Sequence, residues 1–206
     1  MSIPYSIDLL GVMVFAISGA LAAFDKPMYR DLVSLTFVAF VTAAGGGTLR
    51  DIILDAHPIF WVKDGNYLVA IVAGVLLTIA FRKFLFRLTK TVFLFDTIGM
   101  AIYTIYGMQK SLAYDVSVPA AVVLGIFTGV MGGVIRDTLL NEIPLIFQKE
   151  IYATACLAGA LLFAVLHFFH VPSNINGLLS ILTIIFIRII SVRYRLGLPR
   201  IPKKHS

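Results

Sequence analysis

Two short stretches of the sequence carry the residue types that could do chemistry. Residues 45–51 read Gly-Gly-Gly-Thr-Leu-Arg-Asp, and residues 132–137 read Gly-Gly-Val-Ile-Arg-Asp. In each stretch, glycines that weaken a helix interrupt an apolar segment, and an Arg-Asp pair follows. Charged groups at membrane depth are costly and typically functional. The duplicated motif therefore predicts a polar passage for small solutes, built from two related parts of the chain.

The composition places these stretches in a membrane protein. Of the 206 residues, 59% are hydrophobic and 14% are charged, and the mean hydropathy is +0.94. A soluble domain has about 25% charged residues, so this chain has too few polar groups to face water on all sides. The net charge of +6 does not indicate nucleic-acid binding, because the basic residues cluster at the ends of apolar segments. The single cysteine, Cys156, excludes an intramolecular disulfide.

Seven apolar segments predict membrane-crossing helices, since a crossing needs about 20 mostly apolar residues. They are residues 7–24, 32–49, 66–81, 92–109, 116–133, 151–169 and 175–192. The first segment follows no basic region and precedes no cleavage-like site, so we expect a retained helix and not a signal sequence. The predicted fold is an all-α integral membrane protein with seven transmembrane helices.

Basic residues predict how these helices are oriented, because cytoplasmic loops are enriched in lysine and arginine. Most basic residues fall in loops and a tail that the span count places on one side: Lys26, Arg30, Arg82, Lys83, Arg87, Lys90, Lys149, Arg193, Arg195, Arg200, Lys203 and Lys204. The opposite side receives only Lys63 and Lys110. The sequence therefore predicts an outside N-terminus and a cytoplasmic C-terminus.

The sequence also contains an internal repeat. An offset of 88 residues, which becomes 86 after the first loop, pairs an ordered series of residues: Asp8 with Asp96, Gly11 with Gly99, Phe15 with Tyr103, Gly19 with Gly107, Thr42 with Thr128, Gly46 with Gly132, Arg50 with Arg136 and Asp51 with Asp137. Each copy holds three spans, so the second copy enters the membrane from the opposite side. We expect a first repeat with its basic loop at 1–87, an inverted second repeat at 88–172, and a seventh helix with a basic tail at 173–206.

The four charges of the two motifs must be compensated. Each would cost about 2.5–3.5 kcal/mol at the centre of a bilayer, so Arg50, Asp51, Arg136 and Asp137 must pair, reach the interface or line water. Neighbouring residues on a helix do not face each other. One hypothesis is therefore a cross pair such as Arg50 with Asp137, and the alternative is that the charges cap helix fragments at the interface.

The glycines predict that the second and fifth helices are broken, and unwound backbone at membrane depth is tolerated where it lines a water-filled cavity. Freed carbonyls and threonine hydroxyls would suit a monovalent cation, because Mg²⁺ and Ca²⁺ usually need several carboxylates. The candidate pore-lining residues are Thr42, Gly45, Gly46, Gly47, Thr48, Thr128, Gly132 and Gly133.

Other polar and aromatic residues have simpler interpretations. Asp8 and Asp96 are either favourable charges at helix N-termini or an acidic vestibule for cations. Arg188 is close enough to the tail to extend to the cytoplasmic surface. Four aromatic residues are typical of the membrane interface: Tyr5, Trp61, Tyr67 and Tyr152. No phosphate loop, nucleophile elbow or metalloprotease motif is present, so we predict no enzyme activity, no cofactor and no metal site.

These motifs resemble the prokaryotic relatives of the trimeric intracellular cation channels. The resemblance covers residues 5–192, and bacterial members with this motif pair are also grouped as a glycine-transporter domain family. It implies a homotrimer in the cell membrane of a prokaryote, in which each protomer conducts monovalent cations, K⁺ first and Na⁺ second, through a pore lined by the second and fifth helices. Arg50, Asp51, Arg136 and Asp137 then become candidates for gating or charge balance. Met131 stands where the first motif has a glycine, which is a departure from the repeat.

Two other functions stay open. A secondary transporter for glycine or another small zwitterion could use Arg50 for the carboxylate and Asp137 for the amine, and inverted repeats are the usual scaffold of such carriers. A structural membrane subunit would use the small residues only for helix packing. We favour the channel, because the two motifs combine neutral oxygens with no deeply buried acidic relay.

Overall fold

The helices of the protein follow its apolar segments. The computed structural model describes residues 4–85, 91–148 and 151–197, and the elements in these ranges are helical. They are α1 (Tyr5–Phe24), α2 (Leu32–Ile53), α3 (Phe60–Lys63), α4 (Asn66–Leu85), α5 (Thr91–Ala113), α6 (Val118–Leu139), α7 (Ala153–Phe168) and α8 (Ser173–Tyr194), with 3₁₀ turns at Pro27–Tyr29 and Leu145–Phe147.

All seven predicted spans are found, as α1, α2 and α4–α8. Five of them are long and apolar enough to cross a membrane, and the apolar parts of α4 and α7 are shorter. The largest difference in bounds occurs in α6, which continues six residues beyond its predicted end at residue 133, and α2 continues four residues beyond its predicted end at residue 49. Both Arg-Asp pairs therefore lie within the last turns of helices. Helix α3, in the loop after α2, was not predicted.

The predicted breaks in the second and fifth helices are wrong. Both α2 and α6 are continuous through their glycines. The glycines instead permit the two helices to cross in close contact: a Cβ atom on Gly46 would lie 2.1 Å from the carbonyl oxygen of Thr128, and one on Gly132 would lie 2.1 Å from that of Thr42. Glycine costs about 1 kcal/mol in a helix interior. Close packing against a neighbouring helix compensates for this, as it does at small-residue interfaces in membranes.

The two repeats contact each other through reciprocal pairs. The Phe15 ring of α1 covers Gly99 of α5, where a Cβ would lie 2.5 Å from the ring. The Tyr103 ring of α5 in turn covers Gly11 of α1, at 3.0 Å. Each of these contacts is the copy of the other under the alignment of the repeats. The fold therefore consists of two inverted three-helix repeats, α1, α2, α4 and α5, α6, α7, with α8 packed on α5 and α7.

Contacts between loops show which helix ends lie together. We call the end of the bundle where α1 begins and α2 ends the first face, and the opposite end the second face. On the first face, Tyr5 hydrogen-bonds to Asp64, and this bond lowers the pKa of the Asp64 carboxyl. On the second face, Lys26 pairs with Glu142, which raises the pKa of the lysine. The helices thus alternate in direction between the two faces. Several basic residues used for the orientation lie outside the described residues: Arg87, Lys90, Lys149, Arg200, Lys203 and Lys204.

The outward surfaces of the long helices carry large apolar side chains. Phe37 of α2, Phe81 of α4 and Phe186 of α8 are all exposed. In a soluble protein such a surface would be unfavourable, but lipid chains are as apolar as these side chains. Polar and charged groups are instead collected inside the bundle. The expectation that the protein has no deeply buried acidic groups is therefore wrong, since Asp8, Asp51 and Asp96 are each at most 2% exposed.

Candidate functional site

The crossing of α2 and α6 brings together four of the eight predicted pore-lining residues: Thr42, Gly46, Thr128 and Gly132. Thr42 and Thr128 lie on either side of it, each 1% exposed. Their hydroxyls donate to carbonyl oxygens of their own helices, those of Val38 and Leu124, both at 2.6 Å. Each threonine therefore presents its backbone carbonyl to a glycine of the facing helix, its hydroxyl is engaged within its own helix, and the two helices are in contact at this level.

The remaining glycines and Thr48 pack against neighbouring side chains. A Cβ on Gly45 would lie 3.0 Å from Ile135, and one on Gly47 would lie 2.8 Å from the ring of Phe60 in α3. The Thr48 hydroxyl accepts a hydrogen bond of 3.0 Å from the indole of Trp61. Helix α3 thus covers the first motif from the first face, and Trp61 is held in place by a bond to the motif.

The first Arg-Asp pair lies in a buried ionic group that we call the Asp51 cluster, made up of Asp8, Arg50, Asp51, Tyr67, Tyr106 and Lys110. Arg50 donates to Asp51 Oδ1 from Nε at 2.9 Å and from Nη2 at 2.7 Å. Lys110 Nζ lies 2.8 Å from the same oxygen. The other oxygen, Oδ2, accepts from the backbone amide of Phe60 at 3.1 Å. Asp51 is therefore fully satisfied although its side chain is completely buried.

Tyrosines complete the Asp51 cluster. The Tyr67 hydroxyl donates to Asp8 Oδ2 at 2.5 Å. The Arg50 guanidinium lies over the ring of Tyr106, with its Cζ atom 5.3 Å from the ring centroid, a geometry that stabilises a desolvated cation. The interpretation of Tyr67 as an interfacial residue is wrong, since it is buried and bonded to a carboxylate.

The second Arg-Asp pair lies in the Asp137 cluster, made up of Ser18, Asp96, Arg136, Asp137 and Tyr152. Arg136 donates to Asp137 Oδ1 from Nε at 2.8 Å, and its Nη1 donates to Asp96 Oδ1 at 2.7 Å and to the Ser18 hydroxyl at 2.9 Å. Asp137 Oδ2 accepts from the backbone amide of Leu145 at 3.2 Å. Arg136 thus bridges two carboxylates that belong to α5 and α6.

The cross pair of Arg50 with Asp137 is wrong, because each arginine binds the aspartate that follows it in sequence. The i,i+1 argument fails for a long side chain: the arginine folds back beside its own helix until its guanidinium reaches the neighbouring carboxylate. The four charges consequently form two separate groups, one turn beyond the crossing toward opposite faces. Asp8 and Asp96 each join the group on their own face and are 2% and 0% exposed. Asp96 lies beyond the first turn of α5, so it is not a charge at a helix N-terminus.

Several members of the two clusters were not singled out as site residues by the sequence. Tyr106 and Ser18 lie within predicted spans, Lys110 directly follows one, and none of the three has a motif around it. The repeat alignment offers one signal, since the offset of 88 pairs Ser18 with Tyr106. Tyr152, which was assigned to the membrane interface, is 2% exposed, so that assignment is wrong.

Arg188 of α8 is also placed differently from the prediction. It is completely buried and does not extend to the surface. Its Cζ atom lies 4.7 Å from the ring centroid of Phe93 and 4.8 Å from that of Tyr152, and Nη1 donates to the carbonyl oxygen of Ile151 at 2.9 Å. Arg188 therefore ties α8 to the second repeat beside the Asp137 cluster.

Buried charge on both sides of a helix crossing is an unusual arrangement for a protein that needs only stability. Removing charged groups from water costs several kcal/mol per ion, and packed apolar residues often give equal stability. Here the two charged clusters lie on either side of the crossing of α2 and α6, at which the side chains are small. The arrangement can attract ions toward the crossing from both faces and balance their charge.

Comparison with known proteins identifies the fold. The family model described as glycine transporter matches residues 5–83 and 93–168. The inner membrane protein YadS of Escherichia coli, a UPF0126 protein, is 39% identical over 197 residues, 95% of this chain and 94% of YadS. A UPF0126 membrane protein of Vibrio cholerae is 38% identical over 199 residues, 96% of this chain and 82% of that protein.

Solved structures match over nearly the whole chain. A TRIC trimeric intracellular cation channel orthologue from Rhodobacter sphaeroides has a TM-score of 0.87 and 29% identity, covering 93% of this chain and 97% of the other. A TRIC cation channel structure has a TM-score of 0.85 and 30% identity, covering 99% and 100%.

Fold and site together define a multi-pass membrane protein of two inverted repeats with a buried ionic cluster toward each face. The chain belongs to the family described as glycine transporter, is similar to UPF0126 membrane proteins over nearly its whole length, and shares the fold of TRIC channels.

Proposed function

We propose that this protein is a channel that passes monovalent cations, with K⁺ as the main ion and Na⁺ as a second. The pathway lies within each protomer, between the two repeats, along the crossing of α2 and α6. Its lining is the set of residues predicted from the sequence: Thr42, Gly45, Gly46, Gly47, Thr48, Thr128, Gly132 and Gly133. The likeness to solved TRIC cation channels supports this proposal.

The observation that carries the proposal is the position of the charges relative to the crossing. Arg50 and Asp51 lie one turn from Gly46 toward the first face, and Arg136 and Asp137 lie one turn from Gly132 toward the second. Asp8 and Asp96 add a carboxylate to each group and form the vestibules at the two ends. The carboxylates at both ends of the crossing supply oxygen atoms that can attract a cation, and the neighbouring arginines balance their charge.

The crossing would also be the gate. In the structure α2 and α6 touch through Gly46 and Gly132, so the passage is closed at this level. Because glycines have no side chains to interlock, the two helices can separate or slide with little loss of packing. Arg50 and Arg136, with their aspartates, would hold the two helix ends in place during this movement and balance the charge of the passing ion.

We further propose a homotrimer in the cell membrane, with the N-terminus outside and the C-terminus in the cytoplasm. The Rhodobacter sphaeroides orthologue is a trimeric channel, which supports the assembly, and YadS is an inner membrane protein, which supports the location. The orientation rests on the distribution of lysine and arginine.

A transporter for glycine is the second candidate, which the description of the matching family model favours. In the structure, however, both arginines are engaged by carboxylates of the protein. At Arg136, the carboxylate of a bound amino acid would have to displace Asp96 or Asp137, at the cost of leaving a buried charge unpaired. At Arg50 it could reach only Nη1, the one guanidinium nitrogen without a hydrogen-bond partner among the described residues. A channel needs no such exchange.

Recordings from purified protein in planar bilayers, combined with uptake into proteoliposomes, test the two functions. We expect single-channel currents whose reversal potential follows the K⁺ gradient. The matched variant is Gly46→Leu, which places a bulky side chain in the crossing and should abolish the current, with Gly65→Leu as a control on an open loop position. Silent bilayers together with saturable glycine uptake would reject the channel.

A further inference from the structure

Two lysines join the repeats at opposite ends of the helix crossing. On the first face, Lys110 in the last turn of α5 binds Asp51 near the end of α2. On the second face, Lys26 after α1 binds Glu142 after α6. Each lysine belongs to one repeat and each carboxylate to the other. We call these contacts the Lys110 pair and the Lys26 pair, and each of them ties the end of one crossing helix to the opposite repeat.

The repeat alignment relates the two pairs but places them at different depths. The offset of 88 matches Lys110 with Ala22, which lies four residues before Lys26. Glu142 lies five residues after Asp137, the aspartate of the second motif. The same corner of each repeat is therefore joined by a lysine, but both members of the Lys26 pair are displaced along the chain toward the second face.

This difference in depth produces a difference in burial. The side chains of Lys110 and Asp51 are 20% and 0% exposed, whereas those of Lys26 and Glu142 are 35% and 54% exposed. Exposed ion pairs contribute little free energy and are screened by salt, and buried pairs are screened much less. The end of α6 is thus held to the other repeat by the weaker of the two pairs.

A hydrogen bond from the turn after α1 reinforces the Lys26 pair. The Tyr29 hydroxyl donates to the carbonyl oxygen of Leu139, the last residue of α6, at 3.0 Å, and this bond too is exposed. Deeper in the bundle, Arg136 donates to the uncharged hydroxyl of Ser18. At the end of α2, by contrast, the lysine binds a carboxylate that is completely buried. Water and salt can therefore reach the bonds at the end of α6 more easily than those at the end of α2.

From this asymmetry we propose that the crossing of α2 and α6 opens first at the second face, by dissociation of Lys26 from Glu142. The Lys110 pair stays closed and keeps the end of α2 against the second repeat. The proposal rests on the proposed function of the crossing as the gate, and it adds a regulator, the ionic strength at the second face. Salt screens the exposed pair and leaves the buried pair almost unchanged, so a high salt concentration at this face favours the open state.

Amide hydrogen exchange measures the opening of each helix end independently of any current. The backbone amides of Leu140 and Glu142 close the last turn of α6 and the turn that follows, at 3.0 and 2.8 Å from their acceptors. The amides of Leu54 and Ala56 do the same for α2, at 2.9 and 2.8 Å. The offset of 86 matches the first two residues with the second two, so each helix end is the internal control for the other.

The experiment compares the full-length protein in nanodiscs of a zwitterionic lipid at about 0.01 M and about 1 M KCl, between which the Debye length falls from about 30 Å to about 3 Å. After correction for intrinsic rates, we expect exchange at Leu140 and Glu142 to become about two- to fivefold faster at high salt, as for the loss of an exposed ion pair. Exchange at Leu54 and Ala56 should not change. Equal acceleration at both helix ends, or none at the end of α6, would overturn the proposal.

Variants assign the effect to the Lys26 pair. At low salt, Glu142→Gln should exchange at Leu140 as fast as the unmodified protein does at high salt, and it should lose the salt dependence. The matched control is Asp115→Asn, which neutralises an exposed carboxylate of the first face that has no ion pair within the described ranges.

A charge swap tests whether the two groups act as a pair. Lys26→Glu and Glu142→Lys should each remove protection at the end of α6, because each places like charges opposite one another. The double variant should restore this protection. A double variant that exchanges as fast as the single ones would contradict a direct pair.

Bilayer recordings of the same variants separate this proposal from the channel function. With low salt at the second face, we expect a higher open probability for Glu142→Gln than for the unmodified protein. Equal open probabilities, although exchange responds to the variant, would overturn the link between the Lys26 pair and the gate. Potassium currents from a protein whose α6 end responds neither to salt nor to Glu142→Gln would reject the order of opening and leave the channel intact. Salt-dependent exchange at the end of α6 without current in any preparation would reject the channel and retain the order of opening.

Discussion

The Asp51 cluster and the Asp137 cluster derive from the same motif but hold their arginines differently. Arg50 binds one carboxylate and stacks on the ring of Tyr106. Arg136 binds two carboxylates and the hydroxyl of Ser18. The common part is what the motif itself encodes, an arginine paired with the next aspartate, whose second oxygen accepts a backbone amide. The difference comes from α1 and α5, whose equivalent positions hold serine in one repeat and tyrosine in the other.

This comparison shows how a duplicated site becomes asymmetric. The helix crossing is the same from both sides, since a Cβ atom added to Gly46 or to Gly132 would lie 2.1 Å from a carbonyl oxygen of the facing helix. The clusters that flank it can change one residue at a time, because their charges are satisfied by several independent partners. The two ends of the crossing therefore differ in the partners of their arginines.

The largest expected effect is the loss of Arg136. Arg136→Met leaves Asp96 and Asp137 buried without a cation, which should reduce the free energy of unfolding by about 3–5 kcal/mol. Arg50→Met should reduce it less, because Lys110 still pairs with Asp51. Denaturant unfolding of both variants in the same detergent checks this order. Equal losses would mean that the second carboxylate of the Asp137 cluster is not held by Arg136.

A smaller effect is expected at the crossing, where the two repeats make the same glycine contact. Gly46→Ala and Gly132→Ala each place a methyl group against backbone of the facing helix and should cost about 1–3 kcal/mol of stability each. Gly65→Ala has no atom within 4 Å of the added Cβ and serves as the control. Thermal unfolding of the three variants measures the effect. A clear difference between the first two would contradict the reciprocal contact.

The smallest effects are expected from the neutral residues that contact the arginines, Ser18 beside Arg136 and Tyr106 beside Arg50. Ser18→Ala removes one hydrogen bond from Arg136 and should cost about 1 kcal/mol. Tyr106→Phe retains the ring under Arg50, so we expect a smaller change. The comparison is made by chemical unfolding at constant ionic strength. If Tyr106→Phe is the more destabilising variant, the hydroxyl and not the ring supports the first cluster.

Much of the fold could be predicted because it depends on local pattern. Apolar runs separated by short polar segments predicted all seven long helices, and spaced identities such as Arg50 with Arg136 predicted the inverted repeat. The breaks at the glycines were wrong for a physical reason. Glycine lowers helix propensity in isolation, but a tightly packed neighbour holds the helix together, and the neighbour is not visible in the local sequence.

The site was predicted only in part. The motif residues were found, since charge in an apolar segment is conspicuous in one dimension. Their partners were not, because Lys110 and Tyr152 resemble ordinary residues at the ends of spans.

The sequence by itself determined that this is a membrane protein of seven helices, that its two halves are inverted copies, and that an Arg-Asp pair follows the glycines in each copy. Only the tertiary structure decided which groups neutralise these charges. The reason is that composition and periodicity act along the chain, whereas a buried ion pair depends on atoms within about 4 Å that come from helices far apart in sequence. The same packing decided that the glycines join α2 to α6 without breaking either helix.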